Sequence, residues 1–156
     1  MVKNSESVAE HSYRLAMLAM FLAPELDIDQ MKAVKLALIH DLAESEIGDI
    51  VTQIGGKTLP NLSAKLVKEK NAMSYIARSV GRDEIRSLFD EYEENVTQEV
   101  QIVRQLDKLE MAIQAQEYEV EQELDLEEFF VSARQDITHE KLKKILQELE
   151  TKRYER

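Results

Sequence analysis

Four Gly and two Pro are all that punctuate these 156 residues, too few turn formers for a sheet-rich fold. With 33% of residues charged, the chain instead suits helices that present one solvated face each. Ser7 and Glu10 form a capping-box pattern that opens an apolar-periodic run through Leu22, ending before Pro24. Asp29 caps a second run, Gln30 to Glu46, closed at Gly48. Ser63 opens a third, ending with Val80 before Gly81, and Arg82 to Glu94 makes a short fourth. Thr97 caps the longest, which reaches Gln122; Asp125 to Arg134 and Thr138 to Tyr154 complete the set. Between the second and third runs, Gly55-Gly56 and Pro60 mark a loop over Ile50–Leu62. The expectation is an all-α bundle of about six or seven helices, with residues 1–156 as a single helical domain.

Composition removes several chemistries. Without Cys there is no disulfide scaffold, no Cys-ligated zinc and no thiol nucleophile. A net charge of −11 opposes a sequence-independent grip on nucleic acid, which needs a basic stripe. No apolar run approaches the roughly twenty residues of a membrane span, and Met1-Val2-Lys3-Asn4-Ser5 has no signal core. A soluble, cytoplasmic protein is expected. Neither a Gly-rich phosphate loop nor a Gly-x-Ser-x-Gly elbow is present.

Polar residues interrupt the apolar stripes at a few places. His11 lies on the stripe of Val8, Leu15, Leu18 and Leu22. His40 and Asp41 fall within a run, Val34 to Ala43, so apolar that it reads as the buried central helix. Asp107 aligns with Val100, Val103 and Met111 on the longest helix. Taken one at a time, each has a local explanation: a core His beside a carboxylate, or Asp107 paired with Arg104 or Lys108. Two imidazoles and two carboxylates facing inward from three helices make instead a N/O donor set for one divalent metal ion. Co, Mn, Zn, Fe, Ni and Mg all remain open. His139, beside Thr138 at a helix start, reads as exposed and serves as an internal control.

These segments resemble the HD-domain metal-dependent phosphohydrolases. Glu6 to Arg14 is similar to their first ligand motif, Leu36 to Glu44 to the defining His-Asp doublet, and Gln105 to Glu110 to the distal aspartate. Within that superfamily the pattern is most similar to the small 5′-deoxynucleotidases, the YfbR-like HD proteins. Glu44, Gly48-Asp49-Ile50, Glu91-Tyr92-Glu93 and Gln114 to Tyr118 carry that likeness. The resemblance implies that His11, His40, Asp41 and Asp107 hold the metal, that Glu44 is the catalytic carboxylate, and that Asp49 lies at the nucleotide. Spacing agrees for Glu44, which on a continuous helix shares the face of His40 and Asp41. The resemblance also implies a homodimer. Family members usually carry a further helix before the first motif, with an Arg-Trp pair at the nucleotide. This sequence begins ten residues before His11 and has no Trp, so deoxyribose selectivity does not follow from it.

The implied reaction releases phosphate from a deoxyribonucleoside 5′-monophosphate, with a divalent ion neutralising the phosphoryl oxygens. Arg14, three residues after His11, and Lys57, in the Gly-containing loop, are the cations available for substrate phosphate. The alternatives are another HD reaction on cyclic nucleotides, pyrophosphate or triphosphates, and a non-catalytic helical binding module. Ser45 after Glu44 departs from the Glu-Asp that usually accompanies hydrolysis of stringent-response nucleotides.

Overall fold

The computed structural model describes residues 2–48, 50, 53–54, 57–58 and 60–155. Seven helices of ten residues or more make up the bundle: α1 (Val8–Leu26), α2 (Gln30–Ile39), α4 (Leu62–Val80), α5 (Asp83–Glu94), α6 (Gln98–Gln122), α7 (Glu127–Asp136) and α8 (Glu140–Tyr154). A single turn, α3 (Glu44–Ile47), and a two-residue antiparallel pair, β1 (Gln53–Ile54) with β2 (Lys57–Thr58), lie between α2 and α4. That pair falls within the segment expected to be loop. The fold is all-α, and among the described residues no helix is long and apolar enough to cross a membrane.

Local signals account for most boundaries. The Ser7 capping box is formed in full at the start of α1, and Asp29 accepts the Lys32 N–H at the start of α2. Gly81 ends α4 with φ +63°, a left-handed conformation that a Cβ would strain. Thr97 precedes α6 as expected but makes no side-chain cap, because its hydroxyl donates to Glu91 instead, at 2.6 Å.

Two boundaries differ from the sequence expectation. α1 does not stop before Pro24 but continues to Leu26. Proline supplies no N–H, so the Met20 carbonyl one turn back loses its helical donor. The Gln30 amide donates to that carbonyl at 2.6 Å, which repairs the helix from outside. Gln30→Ala should therefore destabilise the protein by about 1 kcal/mol, read as a lowered urea midpoint at unchanged slope.

The second difference is at the His-Asp doublet. The expected single helix from Gln30 to Glu46 is two pieces. The His40 ring Nδ1 lies 2.8 Å from the Ala37 carbonyl, the acceptor a continued α-helix would offer to the Asp41 N–H. Beyond it the backbone tightens to i→i−3 bonds: Leu42 to Ile39 (3.1 Å), Glu44 to Asp41 (2.9 Å) and Ser45 to Leu42 (3.2 Å).

The main core joins α1, α2, α6, α7 and α8 through Leu15, Leu36, Leu106, Leu109, Phe130 and Leu142, all fully buried. Each such side chain contributes roughly 1.5–3 kcal/mol of hydrophobic stabilisation. The Arg153 guanidinium stacks 4.1 Å over the Phe130 ring. A smaller cluster of Ile39, Ala43, Ala72, Met73 and Phe89 ties the end of α2 to α4 and α5. α2 is not buried all round: Met31 and Leu38 stand 63% and 48% exposed, so only one side of it faces the core. On α1, Met17 and Leu22 are half-buried, while Met20 and Phe21 are exposed.

Candidate active site

His11 on α1, His40 at the end of α2 and Asp107 on α6 converge where these three helices meet. Each offers a ligand atom, and the three atoms lie within 4.8 Å of one another. The two imidazoles stand edge to face, 5.3 Å between centroids. His11 Nε2 is 3.1 Å from Asp107 Oδ1. Asp41 adjoins the trio through His40, its Oδ2 3.0 Å from His40 Nε2. Lys108 Nζ lies 4.0 Å from Asp107, whereas Arg104 turns away to the Tyr92 carbonyl and stacks on its ring.

The donor chemistry fits a divalent cation. His40 Nδ1–H is committed to the Ala37 carbonyl, which fixes the tautomer and turns a lone pair outward on Nε2. His40 is only 7% exposed, and its buried Nε2 meets the Asp41 carboxylate at 3.0 Å without the alignment of a good hydrogen bond. In the metal-free protein, protons take the cation's place. Burial pushes the His11 imidazole down, but hydrogen bonds to Asp107 and Glu110 outweigh it and lift His11 to about 10. His40 is raised in the same way: burial opposes its charge, and Asp41 restores it. Burial pushes the Asp41 and Asp107 carboxyls up, and the two imidazoles more than reverse that.

Glu44 is buried at the start of α3, and Lys65 on α4 donates to its Oε1 at 3.0 Å. Lys65 also reaches Glu69 at 3.4 Å. Burial pushes the Lys65 ammonium down, but the bond to Glu44 raises it overall, so Lys65 stays charged. Glu44 follows Asp41 by one tightened turn, its N–H donating to the Asp41 carbonyl at 2.9 Å. Arg14 does not stand free for a phosphate: its Nε is 2.8 Å from Glu110, and its Nη1 reaches Gln114 and, at 2.9 Å, Glu117. Asp49 and the Lys57 side chain lie outside the described residues. His139 is half-buried rather than exposed, and its ring accepts the Lys141 N–H at the start of α8.

Sequence reasoning missed Glu110 and Lys65. Glu110, three residues after Asp107, is 1% exposed, whereas Met111, assigned to that stripe, is half-buried. The signal was available as a second acid at helical spacing from Asp107. Lys65 is visible only once α4 is packed against α3. Asp107 also borders a cleft of about 470 Å³, shared with Arg104, Lys108, Asn95 and Gln101.

The HD domain family matches residues 1–150. The chain belongs to that family. The zebrafish (Danio rerio) 5′-deoxynucleotidase HDDC2 is 38% identical over 162 residues, covering 97% of this chain and 76% of the relative. The Dictyostelium discoideum 5′-deoxynucleotidase HDDC2 is 37% identical, covering 97% and 86%. Among solved structures, a conserved hypothetical protein from Pyrococcus furiosus superimposes with a TM-score of 0.73 at 35% identity, over 95% of this chain and 85% of that one. A Pyrococcus horikoshii protein gives 0.75 at 33% identity, over 95% and 84%. The HD domain, together with the His/Asp cluster, implies a divalent metal.

Proposed function

We propose that this HD-domain protein is a metal-dependent 5′-deoxynucleotidase that releases phosphate from deoxyribonucleoside 5′-monophosphates. The observation that carries the reading is the convergence of His11, His40 and Asp107, whose ligand atoms lie within 4.8 Å of one another. The substrate class follows from the relatives that bear this activity in their names.

In this reading His11, His40, Asp41 and Asp107 hold one divalent ion. When bound, that ion supplies positive charge to the phosphoryl oxygens and makes water a better nucleophile at neutral pH. Glu44 takes a proton from the attacking water, the P–O5′ bond breaks, and the proton passes to the departing 5′-oxygen. The products are a deoxyribonucleoside and inorganic phosphate. Lys65, 3.0 Å from Glu44 Oε1, holds that carboxylate in place. Asp49 is carried as a nucleotide contact from the resemblance alone. The homodimer has the same basis; exposed Tyr13, Phe21, Met31 and Leu38 on α1 and α2 are the apolar side chains such an interface would cover.

Metal-stripped protein should be incubated with each divalent ion and a panel of ribo- and deoxyribonucleotides, with released phosphate measured. Release from deoxyribonucleoside 5′-monophosphates, dependent on added metal, is the expected outcome. Turnover confined to cyclic nucleotides or triphosphates would overturn the assignment in favour of another HD reaction. No turnover at all would leave a binding module.

A further inference from the structure

His11 presents two ring nitrogens, and each meets a carboxylate. Nε2 faces Asp107 at 3.1 Å, on the side of the His40 trio; Nδ1 faces Glu110 Oε2 at 2.6 Å. A neutral imidazole that gives one nitrogen to a cation keeps an N–H on the other, and the acceptor of that N–H sets the ring's rotation. Glu110 is suited to be that acceptor. It is 1% exposed, so its side chain has one packed position, and its second oxygen is 2.8 Å from Arg14 Nε. Arg14 is fixed in turn by Gln114 and Glu117, one and two turns further along α6.

We propose that Arg14 and Glu110 are a positioning pair that aims His11 Nε2 at the metal, and that Arg14 is not a contact of the substrate phosphate. The proposal rests on His11 being a metal ligand. Its geometry is asymmetric in a useful way. Asp107 and Glu110 are both acids on one helix face, yet they meet opposite nitrogens of the same ring, so only one of them shares the metal side. Without Glu110 the ring is free to rotate, and the Nδ1–H loses its buried acceptor. Without Arg14, the second Glu110 oxygen loses the cation that anchors it, and the carboxylate is free to turn away from the His11 ring.

The test is metal affinity by chelator competition, read alongside ¹⁵N NMR of the His11 ring in metal-loaded protein. Glu110→Gln should keep one ion per chain but weaken it about 10- to 100-fold, and should shift the Nδ1–H signal away from its strongly hydrogen-bonded position. Arg14→Met, at a partly exposed site, should move both readouts in the same direction, and Arg14→Lys should recover part of the loss. Unchanged affinity and an unchanged Nδ1–H signal in Glu110→Gln would overturn the proposal. So would an Arg14→Met protein with wild-type metal affinity and a raised KM for nucleotide, since that marks a phosphate contact. Loss of one of two bound ions in Glu110→Gln would also overturn it, because Glu6, His11 and Glu110 would then form a second cation site. If His11→Ala itself leaves metal affinity unchanged, the ligand assignment fails, which separates that failure from this one.

Discussion

Glu44→Gln should lower kcat by about 10²- to 10⁴-fold, the usual worth of a positioned general base, while metal content stays at the wild-type level. The amide keeps the size of the carboxylate and an oxygen to accept from Lys65 Nζ, so the contact between α3 and α4 survives. What it loses is the ability to take a proton from water. The expected signature is a fall in kcat with little change in KM, which marks a group acting in the transition state rather than in binding. Retained activity would remove Glu44 from the reaction and leave it as a structural partner of Lys65. Measuring metal content on the same sample distinguishes a lost base from a lost cation.

The residues around Glu44 also illustrate what a linear pattern conveys. Ser7, Asp29 and Gly81 announce helix ends through chemistry confined to a few neighbouring residues, and the helices end there. His11, His40 and Asp107 were legible because a polar residue on an apolar stripe must be satisfied by something. Where a side chain from elsewhere decides the backbone, the pattern fails. Pro24 reads as a stop until Gln30, on the next helix, is seen to occupy the Met20 carbonyl. The break at His40 is equally opaque, because no Gly or Pro marks it; the imidazole itself takes the Ala37 carbonyl. The roles of Glu110 and Arg14 depend on which face of α1 meets α6. Charge spacing along α6 sets Glu110 beside Asp107, but only packing against α1 pairs it with His11 and Arg14.

His11→Ala should abolish metal binding, and Asp107→Ala should do nearly the same, while His139→Ala, which alters only a helix cap, leaves metal content unchanged. The metal-free protein carries a further consequence with a definite sign. His11 is lifted to about 10 when folded, against an ordinary value of 6.5, so folding favours its protonated form. The stabilisation is fully present below about pH 6.5 and disappears as the pH rises through about 10. Its size at neutral pH is on the order of 4 kcal/mol, enough to lower the melting temperature of metal-free protein markedly between pH 7 and 10. His11→Ala should flatten that decline. Metal uptake runs the opposite way, because the ion must displace the His11 proton, and affinity rises about tenfold per pH unit for each proton released. Alkaline conditions thus weaken the empty fold, whereas the loaded one, with His11 already deprotonated, takes up no His11 proton on unfolding above pH 6.5 and holds its stability. Melting curves at pH 7, 8 and 9, with and without added metal, should diverge as the pH rises. Parallel curves would mean that the cation binds without displacing the His11 proton, and His11 would then lose its place among the ligands.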